Sequence, residues 1–236
     1  TVDEDTSRNE EVIDRCGNKT AYEYDESGRT TKVTSLKPRL DENENVVKDT
    51  NDNIEYEPIA NVSYAYDSFD NLTQIVRGDG LEYALKYNAF HNLETIAVKG
   101  DENNEDINLI KYTYKNGNGR LKEMTYANGD KMTATYNGIG QMIAEKWFNK
   151  DDILTAHYKY VYDGQGNIVR SIDILARKEY NYLYEDGKIM QSTESVITLD
   201  ENTNMVISKA FVCAVRYYYD TEDGLTKKHI KFADGK

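Results

Sequence analysis

Long apolar runs are missing from this 236-residue chain: hydrophobic residues are 39% of it and charged residues 30%. No stretch approaches the roughly 20 consecutive apolar residues of a membrane-spanning helix, which excludes insertion by such a helix. Cysteine is nearly absent, and Cys16 and Cys213 stand almost the whole chain apart, so they form neither a CxxC redox pair nor a zinc knuckle. Proline occurs twice, tryptophan once and histidine three times. Positive charge is short as well: 29 Lys and Arg face 42 Asp and Glu, a net charge of -13 that repels phosphate backbones and argues against nucleic acid as a partner. The chain opens at Thr1 without a basic segment leading into an apolar run and stops at Ala-Asp-Gly-Lys. It reads as a piece of a longer protein, so the missing signal peptide is no argument against secretion.

Tyrosine is abundant, with 20 residues against 5 Phe, and 15 glycines accompany it. Tyrosine followed by a turn-forming or charged residue recurs at Tyr24-Asp25, Tyr66-Asp67, Tyr87-Asn88, Tyr114-Lys115, Tyr136-Asn137, Tyr162-Asp163, Tyr184-Glu185 and Tyr219-Asp220. The spacing fits a unit of about 22 residues with insertions. A turn residue follows each anchor: Gly28, Asp70, His91, Gly119, Gly140, Gly166, Gly187 and Gly224. Most of these precede a polar and then an aliphatic residue, as in Asn71-Leu72 and Arg120-Leu121.

Each unit reads as a β-hairpin. Tyrosines two apart before the anchor, as in Tyr64 and Tyr66 or Tyr160 and Tyr162, share one face of a strand. The glycine supplies the positive φ of a tight turn, and the Asp or Asn before it bonds its own backbone. A second turn closes the unit at Gly78-Asp79-Gly80, Asn128-Gly129 or Asn149 to Asp152. Longer gaps place acidic tips there: Leu40 to Val47, its near copy Leu199 to Val206, and Gly100 to Asp106. The segment Asp3 to Asp14 is acidic and reads as a frayed lead-in or a short helix. The layout is a lead-in over 1–21, a hairpin array over 22–225 and the truncated start of a following repeat over 226–236. Unpaired edges are expected around Ala21 to Tyr24 and Tyr217 to Tyr219.

These anchors resemble the YD-repeat, or Rhs-repeat, family, whose units run approximately Tyr-Xaa-Tyr-Asp-Xaa-Xaa-Gly-Arg-Leu. Tyr22-Glu23-Tyr24-Asp25-Glu26-Ser27-Gly28-Arg29 matches through the arginine, and Tyr160 to Ile168 and Tyr112 to Leu121 are close variants. The resemblance covers nearly the whole chain. It implies a very large secreted or cell-surface polypeptide of the kind found in bacterial wall-associated proteins, polymorphic toxins, toxin-complex cocoons and teneurins. In that family hairpins line up into a sheet that spirals into a hollow shell, which in the toxins holds a C-terminal effector. The self-cleaving Asp-Pro-Xaa-Gly type motif of the toxins has no counterpart here, since Pro38 and Pro58 follow Lys37 and Glu57. Wall without autoproteolysis or effector is the expectation.

Little else suggests chemistry. His91 replaces a turn glycine, His157 precedes Tyr158 in a strand, and His229 lies near the end, so no metal cluster or nucleophile-base pair is expected. Gly-x-Gly at Gly78, Gly117, Gly138 and Gly164 lacks the third glycine of a dinucleotide fingerprint. Asp41, Asn43 and Asn45 alternate as in an EF-hand loop, but Val46 and Asp52 stand where glycine and glutamate are required, so a solvated tip is expected rather than a calcium site. No cofactor is expected. The anticipated partners are neighbouring repeats of the same polypeptide and an encapsulated C-terminal effector. Alternatively, a surface adhesin would stack carbohydrate on aromatic faces, with Tyr126 and Tyr218 outside the repeating stripe as its exposed rings. For the anchor tyrosines, stacking across neighbouring hairpins is preferred over sugar binding.

Overall fold

The computed structural model describes residues 8, 10–100, 105–115, 119–220 and 224–233. The third acidic tip, Gly117 and most of the acidic lead-in fall wholly or partly outside these. Every regular element among the described residues is a strand, as the alternating tyrosines and β-branched residues predict. The chain divides into two compact units, 1–111 and 112–236.

In the first unit, β1 (Glu11–Ile13), β2 (Lys19–Tyr24), β3 (Thr30–Pro38), β4 (Tyr56–Tyr66), β5 (Leu72–Arg77), β6 (Glu82–Tyr87), β7 (Leu93–Val98) and the first half of β8 (Ile107–Tyr114) each pair antiparallel with the next. The second unit repeats the plan. There β9 (Leu121–Tyr126), β10 (Lys131–Tyr136), β11 (Met142–Phe148), β12 (Leu154–Tyr162), β13 (Ile168–Asp173), β14 (Lys178–Glu185), β15 (Lys188–Leu199), β16 (Val206–Tyr219) and β17 (Leu225–Phe232) follow one another in the same way.

Two expectations about the ends are corrected. Residues 11–13 form a strand paired with β2 rather than a helix, because Val12 and Ile13 are extended beside Thr20 and Lys19. The segments around Tyr24 and Tyr219 are not edges, since β2 lies between β1 and β3, and β16 between β15 and β17.

Burial is shallow, as in a sheet whose side chains are mostly half covered. Among the described residues the buried apolar set is Ala97, Met132, Ala134, Ile172, Ile174, Ile197 and Leu199. Ile172, Ile174, Ile197 and Leu199 gather between β13 and β15 with Val206 packed against them. Each such isoleucine or leucine contributes about 1.5–3 kcal/mol by leaving water. They fix the long β15–β16 hairpin, whose register brings Leu199 opposite Val206.

Candidate functional site: the stacked turns

One loop recurs at both edges of the array. Beginning at Asp14, Asp25, Asp41, Asp49, Asp67, Asn88, Asn137, Asn149 and Asp163, the first residue accepts the N–H three positions on and donates its own to the carbonyl four positions on. The side-chain oxygen supports the same turn. Asp67 Oδ1 accepts the N–H of Phe69 (2.9 Å) and Asn71 (3.0 Å), and Asp163 Oδ1 accepts those of Gln165 and Asn167 (both 2.9 Å). Asp and Asn serve here because a short acceptor reaches its own backbone. Hydrogen bonds from Asn71 and Asn167 hold the carboxyls of Asp67 and Asp163 below the ordinary range, and the Arg29 backbone does so for Asp25.

The fourth loop residue is left-handed. Gly28 (φ 79°), Gly140 (97°) and Gly166 (92°) take the glycine role expected of them, while Asp70 (65°) and His91 (59°) fill the same place without glycine. Gly119 is also left-handed (63°), and the Lys115 N–H donates to the Arg120 carbonyl at 2.8 Å.

Two anchors differ from expectation. Gly187 (φ 76°) follows Asp186 (φ 48°) in a two-residue turn that pairs Glu185 with Lys188, the tighter hairpin favoured by two left-handed residues. Gly224 closes its loop rather than bending it: its N–H donates to Asp220 Oδ1 (2.7 Å) and its carbonyl accepts from Asp220 N–H (2.9 Å).

At seven of the anchors the tyrosine faces an aliphatic or threonine residue across the hairpin: Tyr24 with Thr30, Tyr66 with Leu72, Tyr87 with Leu93, Tyr136 with Met142, Tyr162 with Ile168, Tyr184 with Ile189 and Tyr219 with Leu225. The register shifts by one residue directly beside every one of these pairs, the mark of a β-bulge. The next hairpin's tyrosine then reaches that spot. Tyr66 donates its hydroxyl to the Thr30 carbonyl (2.9 Å), Tyr87 to Leu72 (2.9 Å), Tyr162 to Met142 (2.7 Å) and Tyr219 to Ile189 (2.9 Å). A bulge interrupts the ladder locally, and the hydroxyl supplies a donor to a carbonyl beside the interruption.

The polar residue after the turn makes a second link. Arg29 bonds Asp25 (2.7 Å) within its own loop, then reaches Asp70 Oδ1 (2.6 Å) and the Asp67 carbonyl (3.2 Å) of the next, with its guanidinium over the Tyr66 ring. Asn71 meets His91 Nδ1 at 3.1 Å, and Phe69 packs on the same imidazole. Lys188 lies over Tyr219. At the anchor tyrosines the described links between hairpins run from hydroxyl to carbonyl and from cation to ring rather than from ring to ring. The stacked pair Tyr22–Tyr24 sits within one strand, whereas Tyr126 on β9 stacks on Trp147 of β11. Burial raises the pKa of the Tyr87, Tyr114, Tyr136, Tyr162 and Tyr184 hydroxyls, which keeps them protonated.

No protein-family model and no curated protein matches the chain. Solved structures do. The crystal structure of TcdB2-TccC3 aligns with 97% of the chain at 16% identity and a TM-score of 0.65, and that of TcdB2-TccC3-Cdc42 with 97% at 15% identity and 0.65. A Tc holotoxin pore of Photorhabdus luminescens aligns with 92% of the chain at 15% identity and 0.62. The chain has the YD-repeat fold. It spans 12% of each TcdB2-TccC3 chain and 11% of the holotoxin chain.

Two arrangements in this chain were not anticipated from the sequence. Between β3 and β4 the acidic tip is a double loop, Asp41 to Asn45 and Asp49 to Asn53, meeting in a ring of backbone bonds. Arg39 N–H donates to Glu55 (2.8 Å), Glu55 to Val47 (3.0 Å) and Val47 to Arg39 (2.8 Å). An eight-residue repeat, Asp-Xaa-Asn-Xaa-Asn at 41 and again at 49, carries the signal for it. Asp41 Oδ1 is occupied by the N–H of Asn43 (2.8 Å) and Asn45 (2.9 Å), so the alternating side chains serve the turn itself.

The second arrangement surrounds Glu179, which is fully buried. Arg170 Nη2 (2.5 Å), Asn181 Nδ2 (3.0 Å) and Lys209 Nζ all donate to its carboxylate. Burial would raise its pKa, but the donors from Lys209, Asn181 and Arg170 outweigh that and hold it below the ordinary value. His157 is buried in β12, and burial, with Lys146 and Lys159 nearby, lowers its pKa despite the opposing Asp173. Among the described residues no three His, Cys, Asp or Glu side chains gather as metal ligands would. Tyr126, expected to be exposed, is half-buried and stacked on Trp147, whereas Tyr218 is exposed with Lys227 over its ring.

Proposed function

We propose that this chain is a wall segment of a large YD-repeat shell and acts as a structural scaffold rather than as an enzyme. The observation that carries the reading is the paired link between successive hairpins, tyrosine hydroxyl to bulge carbonyl and turn cation to the next turn, made with residues of the repeat itself. Such nearest-neighbour links make stability a sum over repeats and let the array extend along the chain. The anchors Tyr24, Tyr66, Tyr87, Tyr114, Tyr136, Tyr162, Tyr184 and Tyr219 then serve as inter-hairpin ties. The likeness to TcdB2-TccC3 supports a shell, and from it we infer an exported polypeptide whose wall encloses a C-terminal segment.

Limited proteolysis of the longer polypeptide tests this. With the wall intact, the C-terminal segment should survive protease. Removing the ties with Tyr66→Ala, Tyr162→Ala and Arg29→Gln together should expose it. Equal cleavage in both forms would refute enclosure, while a hairpin array still present by circular dichroism would leave the scaffold standing.

A further inference from the structure

In a chain of net charge -13, one sheet face in the second unit reverses the sign. On β17, Lys227, His229 and Lys231 occupy alternate positions and so share a face. The register sets Arg216 opposite His229 and Ala214 opposite Lys231, with Gln191 beside Arg216 on β15. Of these, Gln191, Ala214, Arg216, His229 and Lys231 border a groove of about 390 Å³ together with Thr193 and Phe211. Gln191 Oε1 accepts from Arg216 Nε at 3.2 Å. Among the described residues no carboxylate lies within ion-pair distance of Arg216, Lys227 or Lys231. The neighbouring Lys178 and Lys209, by contrast, are paired with Glu194 and Glu179.

We propose that this face binds an extended acidic polypeptide segment carrying carboxylates at alternate positions. The spacing carries the choice of ligand. Alternate residues on a strand stand about 6.6–6.8 Å apart, so Lys227, His229 and Lys231 present nitrogen groups at the interval at which an extended segment presents every second side chain. Arg216 adds a fork suited to a carboxylate. A phosphate ion needs several donors converging on one point, whereas these side chains run in a line beside an apolar floor of Phe211 and Ala214.

Fluorescence anisotropy of a labelled (Glu-Thr)5 peptide with this chain at low salt provides the test. Saturable binding is expected, weakened about tenfold by Arg216→Gln with Lys231→Gln and reduced by added salt. Lys150→Gln, a charge change elsewhere, should leave it unchanged. The proposal is overturned if the peptide fails to bind, if the double variant binds as well as the parent while circular dichroism shows both folded, or if inorganic phosphate displaces the peptide at equal concentration. The isolated chain suffices, so failure here leaves the enclosure experiment unaffected.

Discussion

Tyr162 shows how a single side chain ties two hairpins. Its ring is half-buried, and its hydroxyl serves the Met142 carbonyl of the preceding hairpin at 2.7 Å. Tyr162→Phe removes one hydrogen bond and should cost about 1 kcal/mol in urea unfolding. Tyr162→Ala also removes the ring and should cost about 3 kcal/mol, at the low end for a truncated aromatic because the site is only partly covered. His157 gives a pH dependence whose sign follows from its lowered pKa. Above its usual 6.5 it is neutral in both states and its contribution is complete. As pH falls through the lower folded value, the unfolded chain takes up the proton more readily and stability is lost. His157→Gln should flatten the stability profile below about pH 6.5. Equal slopes in parent and variant would assign the acid loss elsewhere.

At the scale of the element, the double loop between β3 and β4 is a self-contained addition. Its two loops bond mainly to themselves, and the backbone ring at Arg39, Val47 and Glu55 joins them to the hairpin. Replacing residues 40–54 by Asn-Gly keeps Arg39 and Glu55 as the pair flanking a two-residue turn of the type antiparallel strands favour. The midpoint in thermal unfolding should move by no more than about 4 °C, corresponding to less than about 1 kcal/mol in a chain of this size. A larger loss would mean that the loops stabilise β3 and β4 through contacts beyond the ring.

For the molecule as a whole, apolar residues at turn tips matter more than a deep core. Phe69, Phe90 and Ile139 all stand two positions after the Asp or Asn that opens a loop and are 68%, 74% and 80% exposed. Their neighbours at this position, Ser27 and Gln165, are polar, so the turn itself does not demand an apolar residue. Exposed rings of this kind mark contact surfaces when they recur. The isolated chain should therefore bind a hydrophobic dye such as ANS. Phe69→Ser, Phe90→Ser and Ile139→Ser together should lower that signal at least twofold, with stability changed by less than about 1 kcal/mol. Unchanged dye binding would place the accessible apolar surface on the sheet faces instead.

The sequence by itself determined the all-β class, the period, and the loops opening at Asp25, Asp67, Asn88, Asn137 and Asp163. Those features are written in residues two to four apart, within reach of one turn or one strand face. Histidine at 91 was legible as a glycine substitute for the same reason. The tertiary structure decided which groups meet between hairpins. Tyr66 and Thr30, or Lys209 and Glu179, are some 30 or more residues apart, and a register slip of one residue would turn either partner to the opposite face. The bulges beside the anchor tyrosines set that register, and alternation alone did not announce them. For that reason the anchor tyrosines read as a ring stack in the sequence, whereas in the structure Tyr66, Tyr87, Tyr162 and Tyr219 stand as donors to the neighbouring backbone.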